Sequence, residues 1–111
     1  MNISLPEKHT MSLKTVDREW FGTGFEVWIG RKPDILQSEN KHSCIIFEDR
    51  RIGRLHVIFI YVGGNWFLMD NYSLNGTWIN NEKLEPNKPT MVKSGDEIKI
   101  AFTSFTFCSY I

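Results

Sequence analysis

The residues best suited to chemistry in this chain are arginines set beside glycines. Arg31 follows Gly30 and precedes Lys32, while Arg54 follows Gly53 two residues before His56. A guanidinium presents a planar fork of donors that matches the oxygens of a phosphate. A phosphorylated side chain carries about −1.5 to −2 charges near neutral pH, so two arginines on different loops can clamp it. Arg50 and Arg51 read differently. They are expected to be solvated charges paired with Asp34, Glu48 or Asp49, a pairing that contributes little at a surface. The Gly-Arg and Gly-Arg-Leu-His contexts single out Arg31 and Arg54 as the anion-binding pair. The stretch from Asp70 to Asn81 adds Asn75-Gly76 and Asn80-Asn81 turns between aromatic-rich strands. Such turns make either stacked short hairpins or a loop presenting side chains and bare backbone donors, and the glycine-flanked arginines favour the second.

Other chemistries lack their residues. The motifs HExxH, GxSxG and the P-loop are absent, and Gly22-Thr23-Gly24 is a lone glycine pair rather than a dinucleotide fingerprint. His9 falls near the polar N-terminus, His42 in a polar loop, and His56 at the head of an apolar run, where a structural histidine is expected. Cys44 and Cys108 have no CxxC spacing and no clustered histidines, so they read as reduced thiols. Neither a metal nor any other cofactor is expected, and the chain is not expected to be an enzyme. Thirteen basic and thirteen acidic residues cancel, which argues against nucleic acid as a partner and makes any anion site local. No apolar run is long enough to span a bilayer and the N-terminus has no hydrophobic leader core, so an intracellular location, nuclear or cytoplasmic, is expected and no membrane. The three sequons at Asn2, Asn71 and Asn75 are then chance matches.

The elements that must position these arginines are strands. A chain of 111 residues can bury one core, and eight Phe, four Trp and three Tyr supply large apolar area for it. Residues 1–10 read as a flexible N-terminus and residues 11–111 as one domain. Met11, Leu13 and Val16 mark a first strand, and Phe25, Val27 and Ile29 a second, with Trp28 expected in the core. Cys44-Ile45-Ile46-Phe47 is a short buried strand. His56 to Val62 and Trp66 to Met69 form a hairpin across Gly63-Gly64-Asn65. Thr77 to Ile79, Thr90 to Val92, Glu97 to Ala101 and Ser104 to Cys108 complete the series, while Pro33 to Ser43 has room for a helical turn. Many short strands with frequent turns indicate an all-β fold, a two-sheet antiparallel β-sandwich with loops gathered at its ends. There Arg31 to Ser43, Arg50 to Leu55 and Asn71 to Asn75 can meet.

On these residues the chain resembles a forkhead-associated (FHA) domain, a phosphothreonine-peptide-binding β-sandwich. The resemblance runs from Met11 to Phe107. It rests on Gly30-Arg31, Cys44 to Phe47, Arg54-Leu55-His56, Trp66 to Asp70, Ser73-Leu74-Asn75-Gly76-Thr77, Leu84 and Gly95-Asp96-Glu97-Ile98 in order. The stretch from Met69 to Leu84 most resembles the version at the N-terminus of RING-type ubiquitin ligases in DNA-damage signalling. The resemblance implies a signalling module whose partner is a phosphothreonine-containing protein or peptide. Arg31 would hold the phosphate, with Lys32, Gly53, Arg54 and Leu74 lining the site, and Asn75 would bind peptide backbone. Gly30, His56, Gly76 and Thr77 would support those loops.

Three positions depart from that pattern. Gly53 stands where the family usually has a phosphate-binding serine. A hydrogen bond to a charged group is worth about 1.5–3 kcal/mol, so the missing hydroxyl implies roughly tenfold or somewhat more weakening. Leu74 replaces a threonine or serine, and the loop from Lys32 to Ser43 is longer than usual and brings Lys41 and His42. The alternative reading on the same fold is a phospho-independent interaction or oligomerisation module, in which Trp20, Phe21 and Trp28 would supply an apolar patch for self-association.

Overall fold

The computed structural model describes residues 9–33 and 43–110. Within them eleven strands run in chain order: β1 (Thr10–Lys14), β2 (Glu19–Thr23), β3 (Glu26–Gly30), β4 (Ser43–Ile46), β5 (Val57–Val62), β6 (Asn65–Asp70), β7 (Thr77–Ile79), β8 (Glu82–Lys83), β9 (Thr90–Val92), β10 (Glu97–Ile100) and β11 (Thr103–Tyr110). They form a six-stranded sheet, β2-β1-β11-β10-β7-β8, and a five-stranded sheet, β4-β3-β5-β6-β9. The ladders are antiparallel except for β3 with β4. The two-sheet architecture is the one expected.

Period-two patterning explains the layers, because alternate side chains of a strand point to opposite faces. Met11, Leu13, Val27, Ile29, Phe59, Leu68, Ile98, Ile100, Phe105 and Phe107 form the core between the sheets. Phe59 and Phe107 stack across it at 5.4 Å. Trp28 lies between the fully buried Val27 and Ile29, so it faces outward rather than into the core, and its ring N–H donates to Glu26 at 2.8 Å. Val16 lies beyond β1 and is fully exposed. The polar N-terminal run enters the fold earlier than its composition suggests: Thr10 pairs with Tyr110 and Thr23, and the His9 ring stacks on Tyr61 at 3.7 Å.

Strand β2 was not among the strands expected from alternation. Its core-facing positions are Trp20 and Gly22, and a Cβ at Gly22 would lie 2.5 Å from a Val27 methyl. The valine fills the place a side chain would take, and so the apolar alternation vanishes from the sequence. Trp20 packs against Phe47 at 5.0 Å and Phe105 at 5.6 Å. The hairpins follow their turn residues. Gly63-Gly64 joins β5 to β6, and Asn80-Asn81 joins β7 to β8 as a short hairpin rather than the presenting loop expected there, all four residues having the positive φ that two-residue turns between right-twisted strands require. Asn75-Gly76 instead leads from β6 in one sheet to β7 in the other.

Candidate functional site

The start of the β3–β4 connection, at Arg31 and Lys32, meets the β4–β5 and β6–β7 connections at one end of the sandwich. At the end of β3, the Arg31 N–H donates to Gly53 O at 2.8 Å and the Lys32 N–H to Arg54 O at 3.0 Å. The contact is so close that a Cβ on Gly30 would sit 2.1 Å from Arg54 O. Glycine at position 30 is therefore a condition for laying the β4–β5 loop on the end of β3. Arg31 Nε donates to Ile52 O at 3.2 Å, and its terminal nitrogens have no partner among the described residues. Arg54 and Lys32 are both exposed.

His56 holds the β4–β5 loop from beneath. It is fully buried, its Nδ1 accepts from the Gly53 N–H at 3.0 Å, and Nε2 meets Gly76 O at 2.8 Å. An acceptor at Nδ1 and a carbonyl at Nε2 select the neutral tautomer with its proton on Nε2. Burial lowers its pKa, outweighing the opposing pull of the Gly76 carbonyl and of Asp70.

The β6–β7 connection is organised by Asp70, a residue not expected to have a role at the site. Its buried carboxylate accepts from the Ser73 N–H at 3.0 Å, from the Ser73 hydroxyl and from the Thr77 hydroxyl at 2.6 Å. Ser73 Oγ in turn accepts from the Gly76 N–H at 3.0 Å. The sequence does carry a signal for it: Trp66, Leu68 and Asp70 fall on the core-facing phase of β6, and a carboxylate on that phase must find donors. Gly76 has φ +87°, and a Cβ there would meet the Trp78 ring at 2.8 Å. Asn75 Nδ2 donates to Arg51 O at 2.7 Å and Asn71 Nδ2 to Leu55 O at 3.1 Å, stitching the β6–β7 loop to the β4–β5 loop. Leu74, between them in sequence, projects outward with 95% exposure.

Arg51 is paired as expected, with Asp49 at 3.0 Å, and its guanidinium also lies 4.8 Å from the Phe102 ring centre on the β10–β11 turn. Arg50 has no partner among the described residues. The anticipated pairing with Asp34, the helical turn after Pro33, and Lys41 and His42 lie outside the described residues. Cys44 and Cys108 are half-buried and form no disulfide among the described residues. Among the described residues no group of His, Cys, Asp and Glu is placed to hold a metal ion, and no helix is long and apolar enough to cross a membrane.

A family model for the FHA domain matches residues 27–101, from β3 to just past the end of β10. The chain belongs to the FHA-domain family. The E3 ubiquitin-protein ligase RNF8 of Rattus norvegicus is 35% identical over 88 residues, covering 77% of this chain and 17% of that protein. RNF8 of Homo sapiens is 46% identical over 78 residues, covering 69% of this chain and 15% of that protein. This FHA chain thus spans about a sixth of the length of the curated relatives it matches. Among solved structures, the N-terminal FHA domain of S. cerevisiae Rad53p in complex with a phosphothreonine peptide superposes with a TM-score of 0.70. It is 19% identical and covers 94% of each chain. Mycobacterium tuberculosis EmbR in complex with a low-affinity phosphopeptide gives a TM-score of 0.72 at 22% identity, covering 91% of this chain and 24% of that one. At those identities the likeness concerns the fold.

Proposed function

We propose that this FHA domain is a phosphothreonine-dependent protein-recognition module that acts without catalysis. The observation that carries the reading is the Arg31 guanidinium. Its stem is fixed by Nε on Ile52 O and by its backbone N–H on Gly53 O, while its terminal nitrogens remain available among the described residues. A cation held in place before binding loses little freedom on meeting a phosphate, which favours affinity. Arg54 and Lys32 add charge beside it, while the backbone N–H and C=O of Gly53 are taken by His56 and Arg31, so Gly53 offers room rather than a bare donor. Asn75 spends one N–H on Arg51 O and keeps its second N–H and its Oδ1 for the backbone of an extended peptide. Leu74 offers the peptide an apolar contact in place of a hydroxyl. Gly30, His56, Gly76 and Thr77 hold the loops at this spacing. The Rad53p complex supports phosphothreonine as the ligand class. Similarity to RNF8 supports a place in a larger intracellular protein, where the domain would bring a ubiquitin ligase to phosphorylated targets.

Calorimetric titration with degenerate phosphothreonine, phosphoserine and unphosphorylated peptide pools tests the reading. Binding confined to the phosphothreonine pool is expected, and Arg31→Ala should weaken it at least about tenfold in a protein that stays folded. Equal binding of all three pools, or unchanged affinity in Arg31→Ala, would overturn it.

A second reading on the same fold has its own observation. Ile58, Ile60, Phe67, Met69 and Met91 occupy the outward phase of β5, β6 and β9, in register as Ile58–Met69 and Ile60–Phe67–Met91. An outward apolar strip of this kind suits self-association. Sedimentation of Phe67→Lys against the parent chain separates the two: a dimer lost in the variant supports the strip.

A further inference from the structure

Two lysines beside the β6–β7 loop share one aromatic ring. Lys99 pairs with Trp78 across β10 and β7, and Lys83 pairs with it across β7 and β8. Their ammonium groups lie 4.9 Å and 5.8 Å from the Trp78 ring centre, within cation–π range. Neither ammonium has a carboxylate partner among the described residues. Glu97, two residues before Lys99, shares its face of β10, and Glu82 precedes Lys83 on β8. Each has its register partner elsewhere, Glu97 at Thr106 and Glu82 at Ile79.

This cation pair abuts the candidate site. The Trp78 ring and the Lys83 Cε lie so close to Gly76 that a Cβ there would be 2.8 Å and 3.2 Å from them. Asn75, the adjoining residue, bonds Arg51 O, and Gly76 O accepts from the Ala101 N–H at 3.0 Å, next to Phe102 under Arg51. The Asn75-Gly76 backbone is therefore flanked by Arg51 on Phe102 and by Lys83 and Lys99 on Trp78.

We infer that Lys83 and Lys99 read acidic residues that flank the phosphothreonine in the bound peptide. The inference rests on the phosphothreonine reading and narrows its ligand to peptides with carboxylates, or a second phosphate, along the segment that crosses Asn75-Gly76. The rigid indole holds both ammonium groups on one surface, and their lack of a counter-ion among the described residues leaves that charge for a ligand.

The experiment is calorimetric titration, at low and high salt, of one phosphothreonine peptide with its flanking residues all Ala, all Glu or all Lys. The parent FHA domain is compared with Lys83→Glu, Lys99→Glu, the double variant and the neutral Lys83→Gln/Lys99→Gln. Exposed ion pairs of this kind change affinity by up to about fivefold each. In the parent, the Glu-flanked peptide should bind more tightly than the Ala-flanked one, by a ratio that shrinks with salt. The ratio should approach one in the Gln variant and invert in the double Glu variant. A parent that binds all flanks alike, or a ratio that survives in both double variants, overturns the assignment of the lysines while leaving phosphothreonine recognition standing. Failure of every flank to bind the parent overturns both.

Discussion

At the scale of the residue, position 53 is the most informative. Gly53 is outside the left-handed region, and a Cβ there would meet only His56 atoms at 3.7–3.8 Å, ordinary contact. Its N–H bond to His56 survives any side chain other than proline. A serine is thus accommodated, and its hydroxyl would stand on the loop that carries Arg54. Gly53→Ser should bind a phosphothreonine peptide about tenfold more tightly than the parent, read by calorimetry. Weaker binding would show that the ligand needs the space left by the missing side chain of Gly53. Gly30 and Gly76 behave differently, since a Cβ on either would collide with a neighbour. All three glycines read alike in the sequence, yet only the surroundings of each reveal whether the missing side chain is a necessity or an opening.

At the scale of the element, the site depends on how β3 ends. The β4–β5 loop lies against Gly30 with Arg54 O at a distance no Cβ tolerates, and the atom in the way is backbone. Gly30→Ala should therefore push the loop off β3 and break the bonds from Arg31 to Gly53 and from Lys32 to Arg54. Forced overpacking of this kind typically destabilises by about 1–3 kcal/mol. Chemical denaturation should show that loss, and phosphopeptide affinity should fall with it. A variant with parental stability and affinity would mean that the loop can lift without consequence. The strands flanking these loops were legible from their alternation. Strand β2 was not, because Gly22 yields its core position to Val27, an exchange between strands that no local pattern records.

At the scale of the whole molecule, His56 joins the two sheets. Its backbone continues into β5 and accepts the Asn71 N–H, while its ring meets Gly76 O at the entry to β7 in the opposite sheet. Burial, the largest cause, holds its pKa below the ordinary value of 6.5, so the unfolded chain takes up this proton at higher pH than the folded one. The stability it contributes is present above about pH 6.5 and is lost as the pH falls through the folded value. The urea midpoint of the parent should hold between about pH 8 and 7 and drop on acidification below 6.5. His56→Asn should start lower and show a shallower drop over that window. Equal slopes would place the acid sensitivity on groups other than His56.

By itself the sequence determined the two-sheet fold, the hairpin at Gly63-Gly64, and the candidate residues Arg31, Arg54, His56 and Asn75. Alternation and turn chemistry are local, and a glycine-flanked arginine at a strand end is visible without coordinates. Tertiary structure decided what those residues touch. It set Asp70 as the anchor of the β6–β7 loop, turned Trp28 outward, tethered Arg31 through Ile52 and drew Lys83 and Lys99 onto Trp78. Each of these depends on how strands and loops are set against one another. Their geometry follows from sheet register and the packing of one sheet on the other, quantities that exist only once the chain has folded.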